Sequence, residues 1–229
     1  MEEVRWYFII VIVSSAIITI ELCKTAVPFA NAVRDSAFQV ASIITTTGFS
    51  TADFNLWSGT SKTILVMLMF IGACAGSTGG GMKVSRFVIL FKTVFKELDS
   101  YIHPKRIQKL ALDGKPIEHD VVRSINVYFI TFAVIFVSSL FLISFEGNDL
   151  VTNFTAVAAT INNIGPGLEL AGPTQNFGHF SAFSKYVLMF DMLAGRLELF
   201  PLLILFHPAV WKDLRTTHKK WKIRRMENE

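Results

Sequence analysis

The sequence predicts an all-α membrane protein built as two tandem repeats. Each repeat is an outer helix, a short re-entrant helix and an inner helix, and a glycine-rich intramembrane loop breaks the first inner helix. Three observations predict this. The 229 residues are 52% apolar and 17% charged, against about 25% charged in an ordinary soluble domain. Mean hydropathy is +0.46, and the apolar residues are gathered into long runs, which points to lipid rather than to a globular interior. The chain also repeats itself, with matched glycines.

The elements follow in order. Residues 6–22, with their flanks, are long enough to span a bilayer. Ala30-Asn31-Ala32 resembles a signal-peptidase site, but the leader Met1-Glu2-Glu3-Val4-Arg5 is acidic where a secretory leader is basic, so a retained helix is expected. Residues 60–98 form the second long run, interrupted by glycines at 76–81; residues 121–145 and 183–206 form the third and fourth. Residues 33–44 and 150–161 are too short, at 1.5 Å per residue, to cross about 30 Å of hydrocarbon. Each ends in a small polar cluster with glycine, so each reads as a helix that stops inside the membrane and returns as extended chain. Pro104, Gly114 and Pro116 mark a turn-rich connector. The expected division is a first repeat at 1–98, a linker at 99–120, a second repeat at 121–210 and a basic tail at 211–229.

The net charge is +4, and the basic residues flank apolar runs, so membrane topology explains them better than nucleic acid. Lys83, Arg86, Lys92, Lys96, Lys105, Arg106, Lys109, Lys115 and Arg123 cluster in one stretch, and Lys212, Arg215, Lys219, Lys220, Lys222, Arg224 and Arg225 in another. By the positive-inside rule the N-terminus, linker and tail are cytoplasmic, and the short helices dip in from outside a multi-pass cell (inner) membrane protein. Trp57, Trp211 and Tyr186 read as interfacial anchors, Cys23 and Cys74 as inert free thiols. The histidines 103, 119, 179, 207 and 218 lack metal-ligand spacing.

Offset by 117, Val40-Ala41-Ser42-Ile43-Ile44-Thr45-Thr46-Thr47-Gly48 lies over Val157-Ala158-Ala159-Thr160-Ile161-Asn162-Asn163-Ile164-Gly165. Offset by 123, Ser58, Ser61, Lys62, Leu65, Met69 and Gly72 coincide with Ser181, Ser184, Lys185, Leu188, Met192 and Gly195. The two halves therefore run in the same orientation, related by an axis along the membrane normal.

An ion crossing a membrane exchanges its water shell for protein oxygens, which rings of backbone carbonyls supply. Irregular backbone survives at membrane depth only where it is buried in protein or lines a water-filled path. Thr45-Thr46-Thr47-Gly48-Phe49 and Asn162-Asn163-Ile164-Gly165-Pro166 both fit, each at the negative end of a short helix and without a carboxylate. The glycines of Ala73 to Gly81 disfavour helix by about 1 kcal/mol each relative to Ala, so the inner helix is expected to unwind below these segments. A small-residue packing face is the other reading. A phosphate-binding loop is disfavoured because the Gly-Lys-Ser/Thr ending is missing. Arg196 lies in an apolar run and must face a polar path or a partner, Asp191 or Glu198. Pro201 frees the Leu197 carbonyl and bends the helix beyond it.

Thr45-Thr46-Thr47-Gly48-Phe49-Ser50, the run from Gly72 through Ala73-Cys74-Ala75-Gly76-Ser77-Thr78-Gly79-Gly80-Gly81-Met82 to Lys83, Asn162-Asn163-Ile164-Gly165-Pro166-Gly167 and Gly195-Arg196-Leu197-Glu198 together resemble the last two of four pore repeats in the Trk/Ktr/HKT potassium transporter superfamily, TrkH type. The resemblance covers essentially the whole chain. It implies tandem outer helix–re-entrant pore helix–inner helix repeats and potassium transport, with K+ as the transported ion and no organic cofactor. It implies filter carbonyls from Thr46, Thr47 and Gly48 and from Asn163, Ile164 and Gly165, with Thr45 and Asn162 at the inner edge and K+ held at Thr46, Thr47, Asn163 and Ile164. It makes residues 75–82, with Gly76, Gly79, Gly80 and Gly81, a gating loop, and Arg196 a barrier beneath the filter. The implied partners are a second copy in a homodimer, a cytosolic nucleotide-binding regulatory subunit of the TrkA/KtrA kind, and the missing N-terminal pore repeats. The basic linker and tail offer either docking surface or lipid-headgroup contacts. The alternative function is a non-conducting membrane scaffold or permease subunit, inactive alone. No set of catalytic side chains supports an enzyme.

Overall fold

The computed structural model describes residues 1–77, 79–103, 110–197 and 204. Among the described residues, seven α-helices carry the fold: α1 (Glu2–Lys24), α2 (Phe29–Ile44), α3 (Gly59–Phe70), α4 (Val84–Ile102), α5 (His119–Ser144), α6 (Leu150–Ile161) and α7 (Ala182–Arg196). The strands among the described residues are β1 (Ala111–Leu112) and β2 (Lys115–Pro116), a hairpin in the linker. Asp113 and Gly114 at its tip both have positive φ (52° and 76°), as a tight two-residue hairpin turn requires.

Of the described helices, α1 and α5 are long and apolar enough to cross a membrane. In α5, Ile130, Val134, Val137 and Phe141 are exposed along one stripe, while Ile125, Tyr128, Phe132, Phe136, Ser139 and Ile143 are buried along the other. That is the 3.6-residue period of a helix with one face to lipid and one to protein. α1 packs on α2, α3 and α4, and α5, α6 and α7 pack on one another. The halves meet where α3 touches α6 and α4 touches α5. Phe70, at the end of α3, sits there with ring centroids 5.5 Å from Phe136, 6.1 Å from Phe154 and 6.3 Å from Phe132. Lipid tails are as apolar as these rings, so such packing rather than water exclusion joins the halves.

Matched sequence produces matched local structure. Ser58 caps α3 by accepting the Ser61 N–H, and Ser181 caps α7 by accepting the Ser184 N–H, both at 3.3 Å. These caps satisfy helix N–H groups that have no intrahelical partner. The 150–161 run forms α6 with the same bounds, while the 33–44 run begins earlier, at Phe29, with Pro28 as N-cap. Ala30-Asn31-Ala32 lie within α2, and Ala32 is fully buried. α7 is described to Arg196; Glu198, Pro201, His207, Trp211, His218 and the basic tail lie outside the described residues, as do Pro104, Lys105, Arg106 and Lys109.

Candidate ion-coordinating site and gate

Both short helices end in the same hook. The Thr46 N–H donates to the Ile43 carbonyl (3.0 Å) and the Thr47 N–H to the Ser42 carbonyl (2.9 Å). The Asn163 N–H donates to Thr160 (3.0 Å) and the Ile164 N–H to Ala159 (2.8 Å). All four positions in each set are related by the offset of 117. This crossed pair of bonds is the Schellman ending, in which the residue just past the cap is left-handed, usually glycine. Here Thr46 (φ 55°) and Asn163 (φ 54°) take that place. Asn tolerates it, whereas a β-branched Thr there is an outlier. The chain thus hooks back before it extends, instead of leaving the helix directly as extended backbone.

Each left-handed residue ties its segment to a later part of its own repeat, a loop in the first and a helix in the second. Thr46 Oγ1 accepts the Gly80 N–H (2.8 Å), and Asn163 Nδ2 donates to the Met192 carbonyl of α7 (3.1 Å). Thr45 Oγ1 donates to the Ala41 carbonyl and meets Thr47 Oγ1 at 2.7 Å. Asn162 is fully buried; its Nδ2 donates to Ala158 and its Oδ1 has no partner among the described residues. The backbone carbonyls of Thr45, Thr46, Thr47, Gly48, Asn162, Asn163, Ile164 and Gly165 accept no hydrogen bond among the described residues.

Glycine lets these pieces approach. A β-carbon on Gly48 would stand 1.9 Å from the Ile164 carbonyl oxygen, so the two segments lie side by side. A β-carbon on Gly80 would stand 2.3 Å from the Asn162 carbonyl oxygen, and one on Gly195 would stand 1.8 Å from that of Ile161. The first contact brings the glycine loop under the second segment. The second presses α7 onto the end of α6.

Between α3 and α4 the described chain is not helical. The Gly72 N–H donates to the Met82 carbonyl (2.7 Å), so the loop closes on its own stem. Lys83 Nζ reaches back to the carbonyls of Gly79 (2.6 Å) and Ser77 (3.1 Å). A cavity of about 270 Å³ lies against it, lined by the loop glycines 79, 80 and 81 together with Lys83, Arg86, Tyr128 and Arg196. Arg86 stacks over the Tyr128 ring at 4.0 Å. Arg196, the last residue of α7, shares this cavity with the loop. Asp191 is fully buried and held by Ser139 Oγ (2.7 Å), with its Oδ2 unpartnered among the described residues.

A family model described as a cation transport protein, TrkH, matches residues 5–213. The chain belongs to the TrkH family. It is 37% identical over 181 residues to the Trk system potassium uptake protein TrkH of Escherichia coli K12, an alignment covering 79% of this chain and 37% of that protein. It is 40% identical over 184 residues to TrkH of Vibrio parahaemolyticus, covering 80% and 37%. The crystal structure of the potassium transporter TrkH from Vibrio parahaemolyticus superposes with a TM-score of 0.83 at 36% identity, over 91% of this chain and 45% of that one. The chain thus spans less than half the length of these relatives, and its helical membrane fold is that of the TrkH structure.

Sequence reasoning missed two features of this TrkH-family chain. Asn55 exchanges two bonds with the Glu169 backbone: Nδ2 donates to its carbonyl (3.1 Å) and Oδ1 accepts its N–H (2.9 Å). Glu169 is itself left-handed (φ 52°) and pairs with Lys62. The other feature is Glu3, whose carboxylate contacts the glycine loop. Its partners are more than 70 positions away, and no local pattern marks such pairs.

Proposed function

We propose that this chain forms half of a potassium-conducting pore. The cation is coordinated by the carbonyls of Thr46, Thr47 and Gly48 and of Asn163, Ile164 and Gly165, with Thr45 and Asn162 at the inner edge. Residues 75–82 and Arg196 gate the path beneath. The observation that carries this reading is the pair of repeat-related hooks, set side by side, whose eight carbonyls accept no hydrogen bond among the described residues. At membrane depth such backbone needs another ligand, and a desolvated cation is one. In the same reading the N-terminus, the linker at 99–120 and the tail at 211–229 face the cytoplasm, and the two repeats divide as 1–98 and 121–210. The complementary pore repeats, a second assembly in a homodimer and a nucleotide-binding regulatory subunit complete the transporter.

The test is rubidium and sodium flux in potassium-uptake-deficient cells expressing this chain with the complementary repeats. Gly165 has φ 117° and room beside it, with the Gly48 Cα 3.9 Å from where a β-carbon would stand. Gly165→Ser therefore acts through the backbone, turning a carbonyl out of line, and lowers the preference for rubidium over sodium. Unchanged preference removes the filter assignment. If Leu at Gly48 and Gly165 leaves flux intact, the chain is a scaffold and not a pore wall.

A further inference from the structure

The first turn of α1 holds two carboxylates that reach across to the other side of the first repeat. One oxygen of Glu3, Oε1, accepts two backbone N–H groups: that of Ala75 (2.7 Å) and that of Ser85 (3.0 Å). Ala75 stands before the four glycines of the loop, and Ser85 stands after them in the first turn of α4. The two bonds therefore bracket the loop.

The arrangement answers a local need. The first N–H groups of a helix have no intrahelical acceptor, and Lys83, the N-cap of α4, makes no side-chain cap bond. Glu3 supplies from α1 what Lys83 does not. A carboxylate is a stronger acceptor than a neutral oxygen, and negative charge is favoured at a helix N-terminus. Besides its bonds to Lys83 and across its own stem, the loop is thus held from outside by Thr46 through the Gly80 N–H and by Glu3 from α1. Next to it, Glu2 pairs with Lys92 Nζ, which also donates to the Ala111 carbonyl of β1 (2.9 Å).

We infer that Glu3 is the positioning residue that pins the glycine loop beneath the filter, and that Glu2, Lys92 and Ala111 link this pin to the linker hairpin. The inference rests on the gating reading of residues 75–82. A displacement of the linker then reaches the loop through the first turn of α1 and α4, without passing through the filter.

Cys74 reports on the pin, because it is the residue before Ala75 and is half-buried. In membranes carrying the chain with Cys23→Ser, the rate of Cys74 alkylation by N-ethylmaleimide is compared among wild type, Glu3→Gln and Glu3→Ala. Glu3→Gln removes the charge but keeps an acceptor oxygen, so it separates altered charge from lost anchoring. Glu3→Ala removes both bonds and is expected to speed alkylation at least about tenfold, the worth of one hydrogen bond to a charged group, with Glu3→Gln between it and wild type. In cells supplied with the complementary repeats, Glu3→Ala also raises resting rubidium flux. Ser85→Pro, tolerated in a first helical turn, removes one of the two donors while leaving Glu3 intact. It gives a smaller rise in both readouts, and it tests the pin where Glu3→Ala does not accumulate. Alkylation unchanged in Glu3→Ala and Ser85→Pro overturns the inference. Faster alkylation without altered flux overturns the gating reading instead and leaves the pin standing.

Discussion

Replacing Gly48 by Ala probes the proposed filter most directly, because the structure separates the two things that glycine provides there. The first is backbone freedom: Gly48 has φ 80°, and a left-handed Ala costs about 1–2 kcal/mol. The second is space. A β-carbon would stand 1.9 Å from the Ile164 carbonyl oxygen, and real contacts essentially never fall below 3.0 Å. One segment must therefore retreat by about 1.1 Å, an overpacking that typically costs about 1–3 kcal/mol. Binding geometry must be held to within about 0.5 Å, so the displacement is roughly twice what a coordinating carbonyl tolerates. Two other glycines divide the effects. A β-carbon on Gly76 meets nothing within 4 Å although φ is 81°, and one on Gly59 meets nothing at a site whose φ is not positive. The expected order follows. Gly59→Ala leaves stability and ion preference unchanged, and Gly76→Ala lowers the melting temperature in detergent without altering the rubidium-to-sodium flux ratio. Gly48→Ala lowers both. An unaltered flux ratio in Gly48→Ala, with the protein present at wild-type level, refutes the assignment of Ile164 as a filter carbonyl.

Two further outcomes bear on the gate and on the outer loops. Arg196→Ala removes a charge from the cavity that the glycine loop also lines and raises rubidium uptake; lowered or unaltered uptake counts against a barrier role. Asn55→Ala breaks the reciprocal pair with the Glu169 backbone, two neutral bonds worth about 0.5–1.5 kcal/mol each. It lowers the melting temperature and loosens ion preference, because the chain from Gly165 to Glu169, beyond the proposed filter, loses one of its ties to the first repeat and keeps the Lys62 pair. A changed melting temperature with unchanged preference would confine Asn55 to a structural role.

Periodicity and length made the helices legible. The break at the glycines, the two short runs and the offsets of 117 and 123 can all be read from residue type alone, since apolar length and glycine content act locally. α6 matches its run, but α2 begins earlier because Pro28 starts a helix there, ahead of Asn31, which interrupts the apolar run before Val33. The hooks were only half legible. Glycine is the ordinary left-handed residue after a helix, so Gly48 and Gly165 drew attention, yet Thr46 and Asn163 hold that conformation. Gly48 and Gly165 follow with positive φ of their own, and Gly48 adds a close approach to Ile164 that depends on the neighbouring segment, which sequence spacing does not place. Glu3 and Asn55 were not legible at all. Each is a polar side chain bonded to distant backbone, and backbone acceptors and donors carry no residue identity to search for.

The repeats agree at the hook and diverge beneath it. In the second repeat, Asn163 bonds to the carbonyl of a helical residue, Met192, and Gly195 presses the same helix onto the end of α6. Both contacts lie within α7, so that segment is fixed by a helical neighbour. In the first repeat the corresponding tie runs from Thr46 to Gly80, in the middle of a non-helical loop that is held elsewhere by Glu3 and Lys83. Thr46 is also the costlier of the two left-handed residues, because its β-branched side chain has no native preference for that region. Its conformation depends on a partner that itself lies in a non-helical loop. The first segment is therefore the one that responds when the loop moves. In the proposed pore a common scaffold so yields one fixed and one adjustable wall, and the gating reading makes the loop between α3 and α4 the element that adjusts it.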